Sequence, residues 1–375
     1  MLKVDICVDA LGPKMSGIGR YTWELASRLP STEIDSLRFF RNDCWIENPR
    51  SLVSGGPVLT KEKPLMLGFF SFPKWLGRYQ LLHECRDAIF HGPNYFLPEC
   101  VSSAVATIHD LSIFKYPDAH PADRVLKFER DFSASIKRAK HLITDSEATR
   151  REVIDFLAWP AELITTVSLG VAAQFRPVTY EKLKSCLHQY GLSPGKYALC
   201  VSTLEPRKQI GKLLESYARV PLKVRLLYPL VLIGGAGWLS DDIHEKIKNL
   251  LAEGWLHYLG FVVESHLPSI YSGARAFVYP SIYEGFGLPV MEAMASGVPV
   301  VTSNKSCLPE ISGGAALLVD TDDIEALATA IEIALLDETW RIKAIIGGLQ
   351  NAKTFTWERC IKETVDVYKK MVTIK

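Results

Sequence analysis

The chain has 375 residues, of which 48% are hydrophobic and 23% charged; these are the proportions of an ordinary globular protein, too long for one small core, so two domains are expected. A net charge of +1 gives no global field toward nucleic acid or a membrane, and nucleic acid is not an expected partner. Eight scattered cysteines without a C-x-x-C pair argue for a reducing compartment and against a disulfide scaffold or structural zinc.

Residues 2–8 read as a strand, not as a signal peptide, and no apolar run approaches a membrane span. A soluble cytoplasmic protein is the expectation. The strand runs into a glycine loop, Ser16-Gly17-Ile18-Gly19-Arg20, followed by a helical pattern over Tyr21–Leu29. No third glycine stands where a dinucleotide fingerprint needs one, so that reading is poorly supported. Residues 31–100 give no clean periodicity. Their stretch Leu67–Tyr79 interleaves aromatic and basic residues; it reads first as a packed loop and helix, with membrane-surface or acceptor contact as the alternative.

Ala104–Ile108 is a clear strand ending in His109-Asp110. A helix is expected over residues 122–140, a strand over His141–Thr144, and a further helix capped by Ser146. A linker is placed at Gly170–Thr179. Beyond it, strands are expected at Tyr197–Ser202, Leu230–Gly234, Leu256–Gly260, Ala276–Tyr279, Val298–Thr302 and Ala315–Val319, alternating with helices, the pattern of a parallel sheet covered on both faces. Arg207 and Lys208 follow the first of these strands, and adjacent cations there match a diphosphate, one as a fork and one as a point charge. Glu284 lies in the loop after Ala276–Tyr279 and Glu292 in the opening turns of the next helix. The glycines at 285 and 287 let a ligand approach the backbone between them. The plain alternatives are a solvated glutamate and a helix-dipole partner. Asp320-Thr321-Asp322 has the spacing of a metal-nucleotide motif, but Asp322 or Asp323 serves better as the N-cap of the helix that follows, and no metal site is assigned.

Two doubly wound halves therefore emerge, an α/β architecture with ligand groups at strand carboxyl ends. With the early glycine loop, His109-Asp110, Glu205-Pro206-Arg207-Lys208 and the spaced pair Glu284 and Glu292 in order, the chain resembles a retaining glycosyltransferase of family four. The resemblance implies a GT-B fold: two Rossmann-like domains facing a central cleft, here 1–175 on the acceptor side and 176–355 binding the nucleotide sugar, with 356–375 a helix crossing back to the first. It implies that Arg207 and Lys208 neutralise the leaving diphosphate, Glu284 faces the donor sugar with backbone N–H groups around Phe286, Gly287 and Leu288, and Glu292 holds the ribose. His109 would touch the sugar, Gly17 and Gly19 would lie beneath phosphate and acceptor, and Phe261 would lie near the base. Gln209 departs from the asparagine often found after the cation pair. The similarity of residues 109–121 to bacterial mannosyl- and rhamnosyltransferases of polysaccharide and O-antigen assembly implies a hexose from a GDP-linked donor and a saccharide or lipid-linked saccharide acceptor. It brings no cofactor beyond the donor and includes peripheral contact at the inner membrane face. The competing readings are another GT-B enzyme (a nucleotide-sugar epimerase or a phosphorylase, the latter needing a cofactor lysine) and a non-catalytic nucleotide-sugar-binding module.

Overall fold

The computed structural model describes residues 1–13, 15–55, 60–61, 87–99, 101 and 104–373; the aromatic and basic stretch 67–79 lies outside them. The chain divides into two units, one of Met1–Leu111, Leu126–Leu169 and Trp357–Lys375, the other of Ser112–Val125 and Gly170–Thr356.

In the first unit the strands are β1 (Lys3–Cys7), β2 (Ser36–Arg41), β3 (Cys44–Ile46), β4 (Thr60–Lys61), β5 (Ile89–Gly92), β6 (Ala104–Ile108), β7 (Ala139–Thr144) and β8 (Ile164–Thr166). They form one sheet in the order β4-β3-β2-β1-β5-β6-β7-β8. The ladder is parallel from β2 to β8, and β3 and β4 add an antiparallel edge. Central strands buried on both faces read as unbroken apolar runs, and β6, AVATI, is buried at every position. The C-terminal helix Trp357–Thr373 packs in this unit through Trp357, Cys360, Ile361 and Tyr368. Its polar face pairs Glu358 with Arg28 at 2.5 Å and Lys369 with Glu33 at 2.7 Å.

The helix expected from Tyr21 begins earlier, at Gly17. Ser16 Oγ accepts the Gly19 N–H at 3.2 Å, so a serine N-cap starts the helix at the first glycine, and Gly17 and Gly19 belong to a first helical turn instead of a loop. The helix expected to reach residue 140 stops at Ile136, because Ala139 already pairs in β7. Ser146 caps the helix Glu147–Leu157 as its position predicts.

The second unit carries β9 (Ala198–Val201), β10 (Leu230–Ile233), β11 (Leu256–Gly260), β12 (Ala276–Tyr279), β13 (Val300–Ser303) and β14 (Ala316–Val319). All pair in parallel, in the order β11-β10-β9-β12-β13-β14. One core runs through Leu213, Tyr217, Leu232, Trp255, Val278 and Ile331. The chain winds outward from β9 in one direction and from β12 in the other, so the switch point lies between these two strands. In open α/β sheets that is where ligands bind, outside the strand carboxyl ends.

Candidate active site

Arg207 and Lys208 sit on a single 3-10 turn, Pro206–Lys208, directly after β9. The turn is placed by the loop after β10. Leu204 bridges Ala236 in parallel, and Gly237 lies so close that a Cβ there would stand 2.4 Å from the Leu204 carbonyl oxygen. Only glycine permits that approach. On the other side the turn is stitched to the loop after β12. The Ile282 N–H donates to the Arg207 carbonyl at 3.0 Å, and Arg207 Nη1 donates to the Tyr283 carbonyl at 3.0 Å.

The loop after β12 thereby brings Glu284 onto both cations. Arg207 Nη1 lies 3.4 Å from Glu284 Oε2, and Lys208 Nζ donates to Glu284 Oε1. Glu205, almost fully buried, pairs with Arg207 Nη2 at 3.0 Å and lies 4.0 Å from Lys208 Nζ. The Tyr279 hydroxyl accepts from Lys208 Nζ at 3.0 Å and donates to Glu284 Oε1 at 2.9 Å. Burial acts to raise the Glu284 pKa, but the Lys208 and Arg207 charges overcome it and hold the carboxyl at about 2. Burial, reinforced by Arg207, lowers the Lys208 ammonium from its ordinary value despite Glu284.

The peptide of Glu284 is fixed as well. Ser306, after β13, accepts the Glu284 N–H at 3.2 Å and donates to its carbonyl at 2.5 Å, while Cys307 Sγ donates to the same carbonyl at 3.1 Å. Ser306 holds φ +58°, a left-handed conformation that costs a non-glycine residue about 1–2 kcal/mol and tends to concentrate at functional sites. Gly287, at φ +93°, precedes the helix Leu288–Ala295, and a Cβ there would meet Leu308 Cδ2 at 2.9 Å. Pro289 is the second residue of this helix, where its missing N–H costs no bond. Phe286 is buried edge-on against Phe355 at 5.5 Å. Glu292, the fifth residue of the helix, is buried near Tyr271, whose phenol is pushed up by burial and then by the Glu292 carboxylate. Phe261, just beyond β11, is 74% exposed. The segment 112–125 also belongs to this unit. Tyr116 packs on Tyr283 at 5.2 Å, and the Trp238 indole N–H donates to the Ala119 carbonyl at 2.8 Å.

In the first unit, His109 at the end of β6 is 7% exposed. Its Nδ1 meets Asp145 Oδ2 at 2.6 Å and its Nε2 the Pro93 carbonyl at 2.7 Å. Burial acts to lower its pKa, yet the Asp145 charge and the two hydrogen bonds raise it above the ordinary value. With an acceptor at each nitrogen, both ring N–H groups are spent within the chain.

Asp320 and Asp322 hold cations of the chain itself. Lys305 Nζ lies 3.0 Å from Asp320 and 2.6 Å from Asp322, Lys212 also reaches Asp322, and Asp323 is the N-cap of the helix Ile324–Leu336. Among the described residues no group of three or more His, Cys, Asp or Glu side chains stands placed to hold a metal, and no helix is long and apolar enough to cross a membrane.

The site thus gathers Arg207, Lys208 and Glu284 in one place and adds Glu205, Tyr279, Ser306 and Cys307, none of which sequence reasoning gave a role. Glu205 carried a signal, a carboxylate two residues before a cation pair. Tyr279 reads as the last residue of an apolar strand, and Ser306 lies in a short polar turn that resembles many others.

The family model described as glycosyl transferases group 1 matches residues 189–348, within the second unit. O-antigen chain mannosyltransferase B of Escherichia coli is 38% identical over 98% of this chain and all of its own length. The serotype-specific mannosyltransferase WbdA of Escherichia coli is 28% identical over 68% of this chain, which spans 32% of that longer protein. Among solved structures, WaaG, a glycosyltransferase involved in lipopolysaccharide biosynthesis, aligns with a TM-score of 0.71 over 97% of this chain and 99% of its own, at 13% identity. The fold is that of GT-B glycosyltransferases, and the chain belongs to the group 1 glycosyl transferases.

Proposed function

We propose that this protein transfers a mannose residue, with retention of anomeric configuration and without a metal ion, from a GDP-linked donor to a saccharide acceptor in O-antigen synthesis. The observation that carries the reading is the buried Arg207–Lys208–Glu284 cluster at the switch point of the second sheet. The full-length similarity to an O-antigen chain mannosyltransferase supports the choice of sugar and pathway.

Breaking the anomeric C–O bond leaves its electron pair on a phosphate oxygen and an oxocarbenium-like sugar behind. Two preorganised cations stabilise that growing charge most in the transition state, which raises the rate of the chemical step. The acceptor hydroxyl oxygen bonds the anomeric carbon from the face the diphosphate leaves, and its proton passes to the departing phosphate oxygen. Glu284 orients the sugar, Glu292 holds the ribose hydroxyls, and backbone N–H groups around Gly287 face the phosphates. Phe261 lines the base, while Gly17, Gly19 and His109 serve the donor and acceptor. Asp320 and Asp322 take no part, since their carboxylates neutralise Lys305 and Lys212. No cofactor is needed beyond the donor, and a lipid-linked acceptor brings the enzyme to the cytoplasmic face of the inner membrane as a peripheral protein.

The test is a thermal-shift and turnover series with GDP, UDP and ADP and their sugars, in excess EDTA, with a mannose-terminated acceptor. GDP stabilisation and α-linked mannosyl product from GDP-mannose are expected. A preference for another base, inversion of configuration, or magnesium-rescued loss of turnover would each overturn the corresponding part.

A further inference from the structure

Tyr279 ends β12 at the switch point, and its side chain is 2% exposed. Its ring stacks on Phe277 at 5.9 Å and 16°, and its carbonyl accepts from Thr302 Oγ1 at 2.7 Å, so both ring and backbone are anchored to the sheet. A phenylalanine would fill the same apolar space. The hydroxyl is what the core does not need, and a buried hydroxyl costs free energy unless it is hydrogen-bonded. Here it bonds the two charged groups of the site, accepting from Lys208 Nζ at 3.0 Å and donating to Glu284 Oε1 at 2.9 Å. Lys208 Nζ also stands 5.4 Å from the ring centroid.

We infer that Tyr279 is a positioning residue of the transfer reaction, its hydroxyl holding Glu284 in place when Lys208 turns to the donor's diphosphate. The inference rests on the donor-site reading of Lys208 and Glu284. Glu284 Oε1 receives both Lys208 and Tyr279. A diphosphate that draws Lys208 away removes the nearer charge from a buried carboxylate, leaving Arg207 on Oε2 and Tyr279 on Oε1. Of these, Tyr279 is the donor fixed by the sheet, so it sets where the carboxylate points at the moment the sugar needs it. Burial and the Glu284 charge raise the phenol's pKa, which keeps the proton on the oxygen that must donate.

The experiment compares wild type, Y279F, E284Q and the Y279F/E284Q double variant in kcat, donor KM, nucleoside diphosphate affinity by calorimetry, and melting temperature. Y279F is expected to lower kcat roughly 10- to 100-fold, the effect of one hydrogen bond to a charged group. Nucleoside diphosphate affinity should change less than about threefold, because the cations remain, and the acidic limb of the kcat–pH profile should move to higher pH. In the E284Q background Y279F should add little, since the group it positions is gone. An unmoved kcat in Y279F, or losses that multiply in the double variant, would overturn the assignment. If E284Q itself transfers normally, the donor-site reading fails instead, and the two failures are distinct. Should Y279F not fold, 3-fluorotyrosine at position 279, which keeps ring and hydroxyl but makes the phenol more acidic, carries the test: a shifted profile supports the role and a superimposable one overturns it.

Discussion

Replacing Lys208 by methionine tests the site through stability and rate together. The substitution keeps the volume of the stem and removes the charge beside Glu284. Glu284 titrates near 2 instead of its ordinary 4.5, a shift that corresponds to about 3 kcal/mol of native-state stabilisation above pH 4.5. Because the folded pKa is depressed, this contribution is present above the unfolded value and is lost as pH falls from about 4.5 to about 2. Without Lys208, burial is opposed mainly by Arg207, so the carboxyl titrates higher and acid unfolding begins at a higher pH. If Lys208 serves the leaving diphosphate as proposed, its loss also withdraws charge stabilisation from the transition state and should lower kcat about 10²- to 10³-fold. The assay is single-turnover mannosyl transfer at saturating donor, with urea unfolding at pH 7 and pH 4. K208M/E284Q should be more stable than K208M, since in K208M Arg207, already paired with Glu205, is left to offset the buried Glu284 carboxylate as well. A kcat within about fivefold of wild type, far short of the loss expected for such a donor, or a double variant less stable than K208M, would refute the reasoning.

Gln209 holds φ +54° immediately after Lys208, a conformation that asparagine adopts more readily, so Gln209→Asn should raise stability by about 0.5–1 kcal/mol, read in the melting temperature. Gly287→Ala places a Cβ against Leu308 at an unfavourable positive φ and should cost about 2 kcal/mol, with donor affinity falling alongside. His91 is fully buried between Tyr368 and Thr107, and burial holds its pKa at about 3. The unfolded imidazole takes its proton near 6.5 and the folded one does not, so this stability is present above pH 6.5 and is lost as pH falls from there toward 3. His91→Phe should lower the melting temperature at pH 7 and flatten its decline between pH 6.5 and 4, measured by calorimetry.

The second sheet is legible because its inner strands are short, mostly apolar runs, and strands buried on both faces need no alternation. The first half was legible only in part. β2 reads Ser-Leu-Arg-Phe-Phe-Arg, and its first arginine breaks the apolar run. That arginine forms a fork with the buried Asp5 of β1 at 2.8 and 2.7 Å, a pairing across strands 33 residues apart that no local window contains. β5 hides for the same reason: the histidine in Ile-Phe-His-Gly is satisfied by Tyr368, 277 residues away. The helix start at Gly17 was misplaced because glycine argues for a loop, whereas the serine before it supplies the cap that decides the boundary.

Arg207, Lys208 and Glu284 stood out in the sequence as charges at the ends of apolar strands, and the structure brings them together. What the sequence could not convey is their balance. Glu205 and Glu284 carry two negative charges against the two positive charges of Arg207 and Lys208, all within 4.0 Å contacts. The cluster is therefore neutral, and a diphosphate is not drawn in by net charge. On the proposed donor-site reading, a diphosphate draws Lys208 from Glu284, which Tyr279 holds in place, while Glu205 keeps its contact with Arg207. Such a site is selective for a ligand that supplies both a diphosphate for the cations and hydroxyls for the released carboxylate. A free phosphate offers the first without the second and leaves Glu284 buried with its nearest charge withdrawn, a cost that offsets part of what the phosphate contact returns. On that reading a complete sugar donor is expected to bind more tightly than its nucleoside diphosphate or free phosphate.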